Sequence, residues 1–122
     1  MEQTPTMKKT LLSGAAALAL TAALASCTPQ EFAAVAIHRE FPEVEQQATA
    51  IAKCESGLDP AAVSPGGGNV GLFQINTVHR GLVADLGYSW DQLTDPSVNA
   101  SVARVIYDQA NGWGPWSCKR VL

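Results

Sequence analysis

Glu55 stands where an apolar side chain is expected. Val44, Ala48, Ile51 and Ala52 recur at helical spacing. On a wheel of about 100° per residue they form one stripe, and Glu55 falls about 20° from Val44, inside it. A carboxylate against an apolar surface has its charged form penalised. The negative end of a helix acts in the same direction. Both effects favour a carboxyl able to donate a proton near neutral pH, which is the work of a general acid. Periodicity alone fits a structural ion pair to Lys53, Arg80 or Arg104 equally well.

Other chemistries find less support. His79 and His38 are the two histidines, and no His/Cys/Asp spacing forms a metal-ligand set. His79 reads as a surface or helix-end residue. Pro65-Gly66-Gly67-Gly68-Asn69 lacks the following Gly-Lys-Ser/Thr of a phosphate-binding loop. The net charge of −3 argues against nucleic acid, which requires a basic face. Asp59 and Asp95 read as turn or cap residues, each before a proline. Asp85 and Asp91 are the remaining candidates for activating a water. Asn99-Ala100-Ser101 matches a glycosylation sequon but falls inside an expected helix.

The elements that must position Glu55 are mostly helical. Thr28 as cap, Pro29 and Glu31 predict a helix over 28–41, with Phe32, Val35 and Ala36 on one face. Pro42 opens a second helix carrying Glu55, and Gly57 stops it. Pro60 to Asn69 is loop, and Val70 to Asn76 a short strand or extended turn. Val78, Leu82 and Leu86 mark a third helix ending at Gly87, followed by a helical turn over Ser89 to Leu93. Asp95-Pro96 starts the last helix, with Val98, Val102, Val105, Ile106 and Gln109 along its face and Gly112 at its end. The expected class is α+β, mainly α, with a small Gly-rich irregular or β region.

The first residues read as an export signal. Lys8 and Lys9 precede an uncharged Ala/Leu-rich run from Leu11 to Leu24, and Met7 is an alternative start. Leu24-Ala25-Ser26-Cys27 resembles the lipobox of bacterial lipoproteins, which makes 1–26 a signal peptide and Cys27 a lipidation site. Cleavage after Ala25 is the alternative. Removing 1–26 leaves a charge of −4. With Cys27 so used, Cys54 and Cys118 should pair in an oxidising compartment. The bridge would contribute up to about 4 kcal/mol. That matters in a domain of roughly 95 residues, whose core is small.

Three motifs together resemble a known superfamily. They are Ile51-Ala52-Lys53-Cys54-Glu55-Ser56-Gly57, then Asp59-Pro60 with Ala62 and Ser64, then Gly71-Leu72-Phe73-Gln74-Ile75-Asn76. The pattern is similar to the lysozyme-like superfamily, in particular soluble lytic transglycosylase domains. The Cys-Glu-Ser-Gly run and Gly112-Trp113-Gly114-Pro115-Trp116-Ser117-Cys118 resemble resuscitation-promoting factors. The resemblance covers roughly residues 42–118 and implies a lysozyme-like fold with a glycan groove.

It also implies a reaction. Glu55 would protonate the glycosidic oxygen between N-acetylmuramic acid and N-acetylglucosamine in peptidoglycan. In the transglycosylases the muramic 6-hydroxyl then displaces the bond and leaves a 1,6-anhydro end. That route needs no cofactor, no metal and no second carboxylate. By position, Ser64 would lie beside Glu55, the alternative being a turn serine before Pro65, and Gln74 would bind the acetamido sugar. Asn76 would line the groove or cap the next helix. Trp113 is the favoured stacking platform, the alternative being a core anchor, with Trp116, Tyr88 and Trp90 open. Phe73 reads as core. The family's late Ala-Tyr motif is missing, and Tyr107 is a poor substitute. The implied setting is the cell envelope, with glycan strands and, through Cys27, the membrane as partners.

Overall fold

The computed structural model describes residues 26–122. The expected leader lies outside the described residues except for Ser26. The helices are α1 (Pro29–Glu40), α2 (Glu45–Ser56), α3 (Arg80–Asp85) and α4 (Pro96–Ala110). A two-stranded antiparallel hairpin, β1 (Asn69–Val70) and β2 (Ile75–Asn76), lies between α2 and α3, with Asn69 opposite Asn76 and Val70 opposite Ile75. Short 3-10 turns join these elements. The architecture is mainly helical with a small β region and one disulfide. Among the described residues no helix is long and apolar enough to cross a membrane.

Local chemistry explains the helix ends. Thr28 Oγ1 accepts from the Glu31 N–H at 3.2 Å, and Glu31 accepts from the Thr28 N–H at 2.8 Å, closing a capping box at the start of α1. Phe41, ahead of Pro42, leaves the helical region with φ −128° and ψ 46°. Pro42–Val44 then forms a 3-10 turn, so α2 begins at Glu45 rather than at Pro42. Gly57 closes α2 in the left-handed region, with φ 66°. Asp95 caps α4 through the Ser97 N–H at 2.8 Å.

Two expected faces are corrected. On α1 the buried residues are Ala33, Ala36 and Ile37, while Phe32 and Val35 are 55% and 65% exposed. Small alanines let α1 lie close along α4, so the helix turns that side inward. Arg39 reaches across to Ser97, and the Ser101 hydroxyl donates to Glu40 at 2.9 Å. In the third helical segment, Val83 is buried while Val78 and Leu86 are exposed. That segment is a 3-10 turn, Thr77–His79, followed by the short α3, so a continuous helical wheel does not apply across it.

The core runs between α1, α2, α4 and the C-terminal segment. An aromatic cluster forms its centre. Trp113 lies 4.7 Å from Tyr107, 5.2 Å from Phe41 and 5.1 Å from Trp116, ring centre to ring centre. Such tilted contacts add to the area each ring buries. The Cys54–Cys118 disulfide ties the end of α2 to this segment across 64 residues, as the export argument anticipates. Its two Cα atoms are 6.0 Å apart.

Candidate active site

Glu55 emerges at the last turn of α2, half-buried, and lines a cleft of about 470 Å³. One oxygen is held. Glu55 Oε1 accepts from the Cys118 backbone N–H at 3.1 Å and from the Ser117 hydroxyl at 3.3 Å. The other oxygen, Oε2, has no partner among the described residues. The cations that periodicity offered as ion-pair partners are elsewhere. Arg104 pairs with Glu43 and Asp108, and Arg80 lies over the Trp90 ring at 4.4 Å. Among the described residues no ion pair forms at Glu55. The carboxylate is therefore positioned by neutral donors.

Ser56, next in the chain, fastens the end of α2 to the facing loop. Its hydroxyl lies 3.0 Å from the Ala52 carbonyl and 2.7 Å from the Leu72 carbonyl. The Gly71–Gln74 turn is thus tied to the helix that carries Glu55.

That turn supplies the opposite wall. Gly71 has φ 79°, and a Cβ there would overlap the Asn99 amide and the Leu93 carbonyl. Only glycine fits both the angle and the space. Asn99 is fully buried on α4. Its Oδ1 accepts from the Phe73 N–H at 2.8 Å, and its Nδ2 donates to Val70 O at 2.9 Å and Leu93 O at 2.8 Å. This one side chain clamps the turn from behind. Sequence reasoning passed over it as a sequon; a polar residue amid the apolar positions of α4 was the available signal.

Gln74 lines the cleft, in the left-handed region with φ 49°. A non-glycine residue there costs about 1 kcal/mol. Its side chain offsets the cost, with Nε2 donating to the Ala62 and Gly71 carbonyls at 3.0 Å each. Both N–H groups are committed, so the Gln74 amide has only an acceptor to offer a ligand.

Asn76 also lines the cleft and caps the next turn, its Oδ1 accepting from the Val78 N–H at 3.0 Å. Its Nδ2 donates to Asn69 Oδ1 at 2.9 Å across the hairpin. Asn69 is a cleft residue that sequence reasoning did not single out. Ser64 is not among the lining residues. Its Oγ accepts from the Asn69 N–H at 3.0 Å and lies 3.3 Å from Asn69 Nδ2, closing the Gly-rich turn. Ser64 therefore reaches the cleft only through Asn69.

Trp116 and Trp113 are both buried, at 6% and 7% exposed. Trp116 borders the cleft, with its Nε1 donating to Phe73 O at 3.0 Å. Trp113, the favoured platform, lies in the aromatic cluster and donates to Gln47 Oε1 at 3.0 Å. Tyr88 and Trp90 pack against the core away from the cleft. His79, read as a surface or helix-end residue, does end the Thr77–His79 turn and also lines the cleft, and burial lowers its pKa below the usual value. Cys27 is exposed and outside any disulfide.

A carboxylate at a helix end thus shares an open cleft with the polar side chains of a hairpin in a small, mainly helical domain. The family comparison agrees with it. Residues 34–118 match the lysozyme-like domain, and the chain belongs to that family. No curated protein and no solved structure gives a significant match.

Proposed function

We propose that this protein cleaves the β-1,4 bond between N-acetylmuramic acid and N-acetylglucosamine in peptidoglycan, as a lytic transglycosylase. Membership of the lysozyme-like family supports the substrate class. The observation that carries the reading is Glu55 itself, one oxygen anchored, the other free, and no cation upon it. Oε2 carries the proton to the glycosidic oxygen as the bond breaks. The muramic 6-hydroxyl attacks the anomeric carbon and returns its proton to the same carboxylate. The product is a 1,6-anhydro end, one water lighter than a hydrolysed end.

Glycosidases that activate water use a second carboxylate. Among the described residues, no other Asp or Glu lines the cleft. Asp85 and Asp91 are exposed outside it. This favours transfer to the internal hydroxyl over hydrolysis. In the same reading, Gln74 accepts from an acetamido N–H or a hydroxyl of the glycan. Asn69 and Asn76 present the polar wall, with Ser64 holding Asn69 in place. Trp116, largely buried, contributes a small apolar border to the cleft.

The protein acts outside the cytoplasm, tethered by lipid on Cys27. Supporting this are the lipobox-like Leu24-Ala25-Ser26-Cys27 and the disulfide elsewhere in the chain. Cys27→Ala should release it from membranes, and unchanged retention would reject the anchor.

Mass spectrometry of fragments released from purified sacculi tests the reaction. Anhydro ends are expected. Reducing ends would mean a lysozyme-type hydrolase, and no release would mean a peptidoglycan-binding protein without turnover.

A further inference from the structure

Of the side chains lining the cleft, Glu55 and His79 are the two ionisable ones. The proton chemistry uses Glu55 and leaves His79 without a task. His79 ends the 3-10 turn that follows β2, and the Asn76 cap fixes the base of that turn. Its imidazole makes no hydrogen bond or ion pair among the described residues. An imidazole half-buried in a cleft of mixed polar and apolar lining, with both nitrogens unused, is placed for a ligand.

Its surroundings are nearly neutral. The hairpin contributes Asn69, Gln74 and Asn76, and α4 contributes Ile106. Arg80, next in the chain, turns onto Trp90. On the C-terminal segment, Lys119 Nζ donates to Gly114 O at 3.3 Å. Glu55 is the one charged group that shares the cleft with His79.

A peptidoglycan strand offers a matching group. Each muramic residue bears a lactyl substituent, which is a free carboxylate where no peptide is attached. N-acetylglucosamine bears no charge. We propose that His79 is a specificity-determining residue that contacts the muramic lactyl group and sets the preference for peptide-free, carboxylate-bearing strands. This rests on the glycan reading of the cleft. Burial lowers the His79 pKa and so favours the neutral imidazole. The neutral ring hydrogen-bonds the lactyl group, and the protonated ring attracts the carboxylate as pH falls.

Binding tests the idea without turnover. Glu55→Gln removes the other ionisable side chain of the cleft, leaving His79. Calorimetry would compare Glu55→Gln with Glu55→Gln/His79→Gln at about pH 7.5 and about pH 5, where a lactyl-type carboxylate stays ionised. The ligands are a peptide-free tetrasaccharide of alternating N-acetylglucosamine and N-acetylmuramic acid, and uncharged chitotetraose. Acidification should tighten the first relative to the second by about three- to fivefold, the range of a partly exposed ion pair. The change should vanish with His79→Gln, or with His79→Asn should the first variant misfold. Binding of both sugars with an unchanged ratio, or the same change without His79, overturns this proposal alone. Binding of neither sugar at either pH overturns the glycan reading and this proposal with it.

Discussion

Cys118 holds Glu55 twice over: its backbone N–H donates to Glu55 Oε1 at 3.1 Å, and its sulfur is bonded to Cys54, the residue before Glu55. The acid and its anchor thus belong to one covalent ring. Ser117 adds a second donor from the same turn. A bridge that staples a small domain also orients the group to which the chemistry is assigned.

Glu55→Gln should keep the fold and lose the reaction. General acid catalysis contributes about 10²- to 10⁴-fold, so release of muropeptides should fall by at least that range. The melting temperature should stay close to wild type, because the amide can still accept from Cys118 and Ser117. Undiminished release would reject the assignment.

Breaking the bridge should separate this protein from an ordinary stapled fold. Cys54→Ser/Cys118→Ser removes a constraint across 64 residues, worth up to about 4 kcal/mol. Activity should fall further than the folded fraction explains, because the donors to Glu55 lose their tether. The check is specific activity at a temperature where circular dichroism shows the variant folded. Full activity there would confine the disulfide to stability.

Asn99→Ala leaves the Phe73 N–H and the Val70 and Leu93 carbonyls without this partner. Each unmet buried group costs about 1–3 kcal/mol, so a loss of about 3 kcal/mol or more is expected in urea melts. Asn99→Asp should be no better, since a carboxylate cannot donate to the two carbonyls. Gly71→Ala should destabilise comparably through overlap with the same amide. A loss below about 1 kcal/mol in both Asn99 variants would contradict the clamp.

Stability should decline steadily on acidification. His79 has its folded pKa lowered from 6.5 by burial, so the unfolded chain binds the proton more readily. Its contribution is complete above 6.5 and is lost as pH falls through the lower folded value. Glu43 is lowered from 4.5, first by a backbone hydrogen bond and then by Arg104. Its contribution is present above 4.5 and is lost as pH falls through its folded value. Thermal melts from about pH 8 to about pH 3.5 should show both limbs, with His79→Gln flattening the upper one. A rise in stability between about pH 6.5 and about pH 5 would contradict the shift at His79.

Much of the helical frame was legible in local chemistry. The Thr28 capping box, the Asp95 cap and the Gly57 stop involve near neighbours in the chain, so residue type is sufficient to place them. The stripe of α2 was legible for the same reason, and with it the emergence of Glu55 from an apolar face. Cys54 and Cys118 could be paired by elimination. The inward faces of α1 and α3 were not legible. Which side turns inward depends on the partner helix and on a 3-10 turn, neither of which periodicity encodes.

The sequence by itself determined that one carboxylate interrupts an apolar helix ahead of a Gly-Leu-Phe-Gln turn, and hence the family and the residue to examine. Tertiary structure alone decided what surrounds it. Asn69 and His79 entered the cleft, Asn99 became the clamp, and packing chose the core over the groove for Trp113 and the turn over the cleft for Ser64. The physical reason is distance along the chain. Contacts such as Asn99 to Phe73 and Cys118 to Glu55 span 26 and 63 residues. A local pattern carries no term for them, and only the packed core selects which polar groups meet.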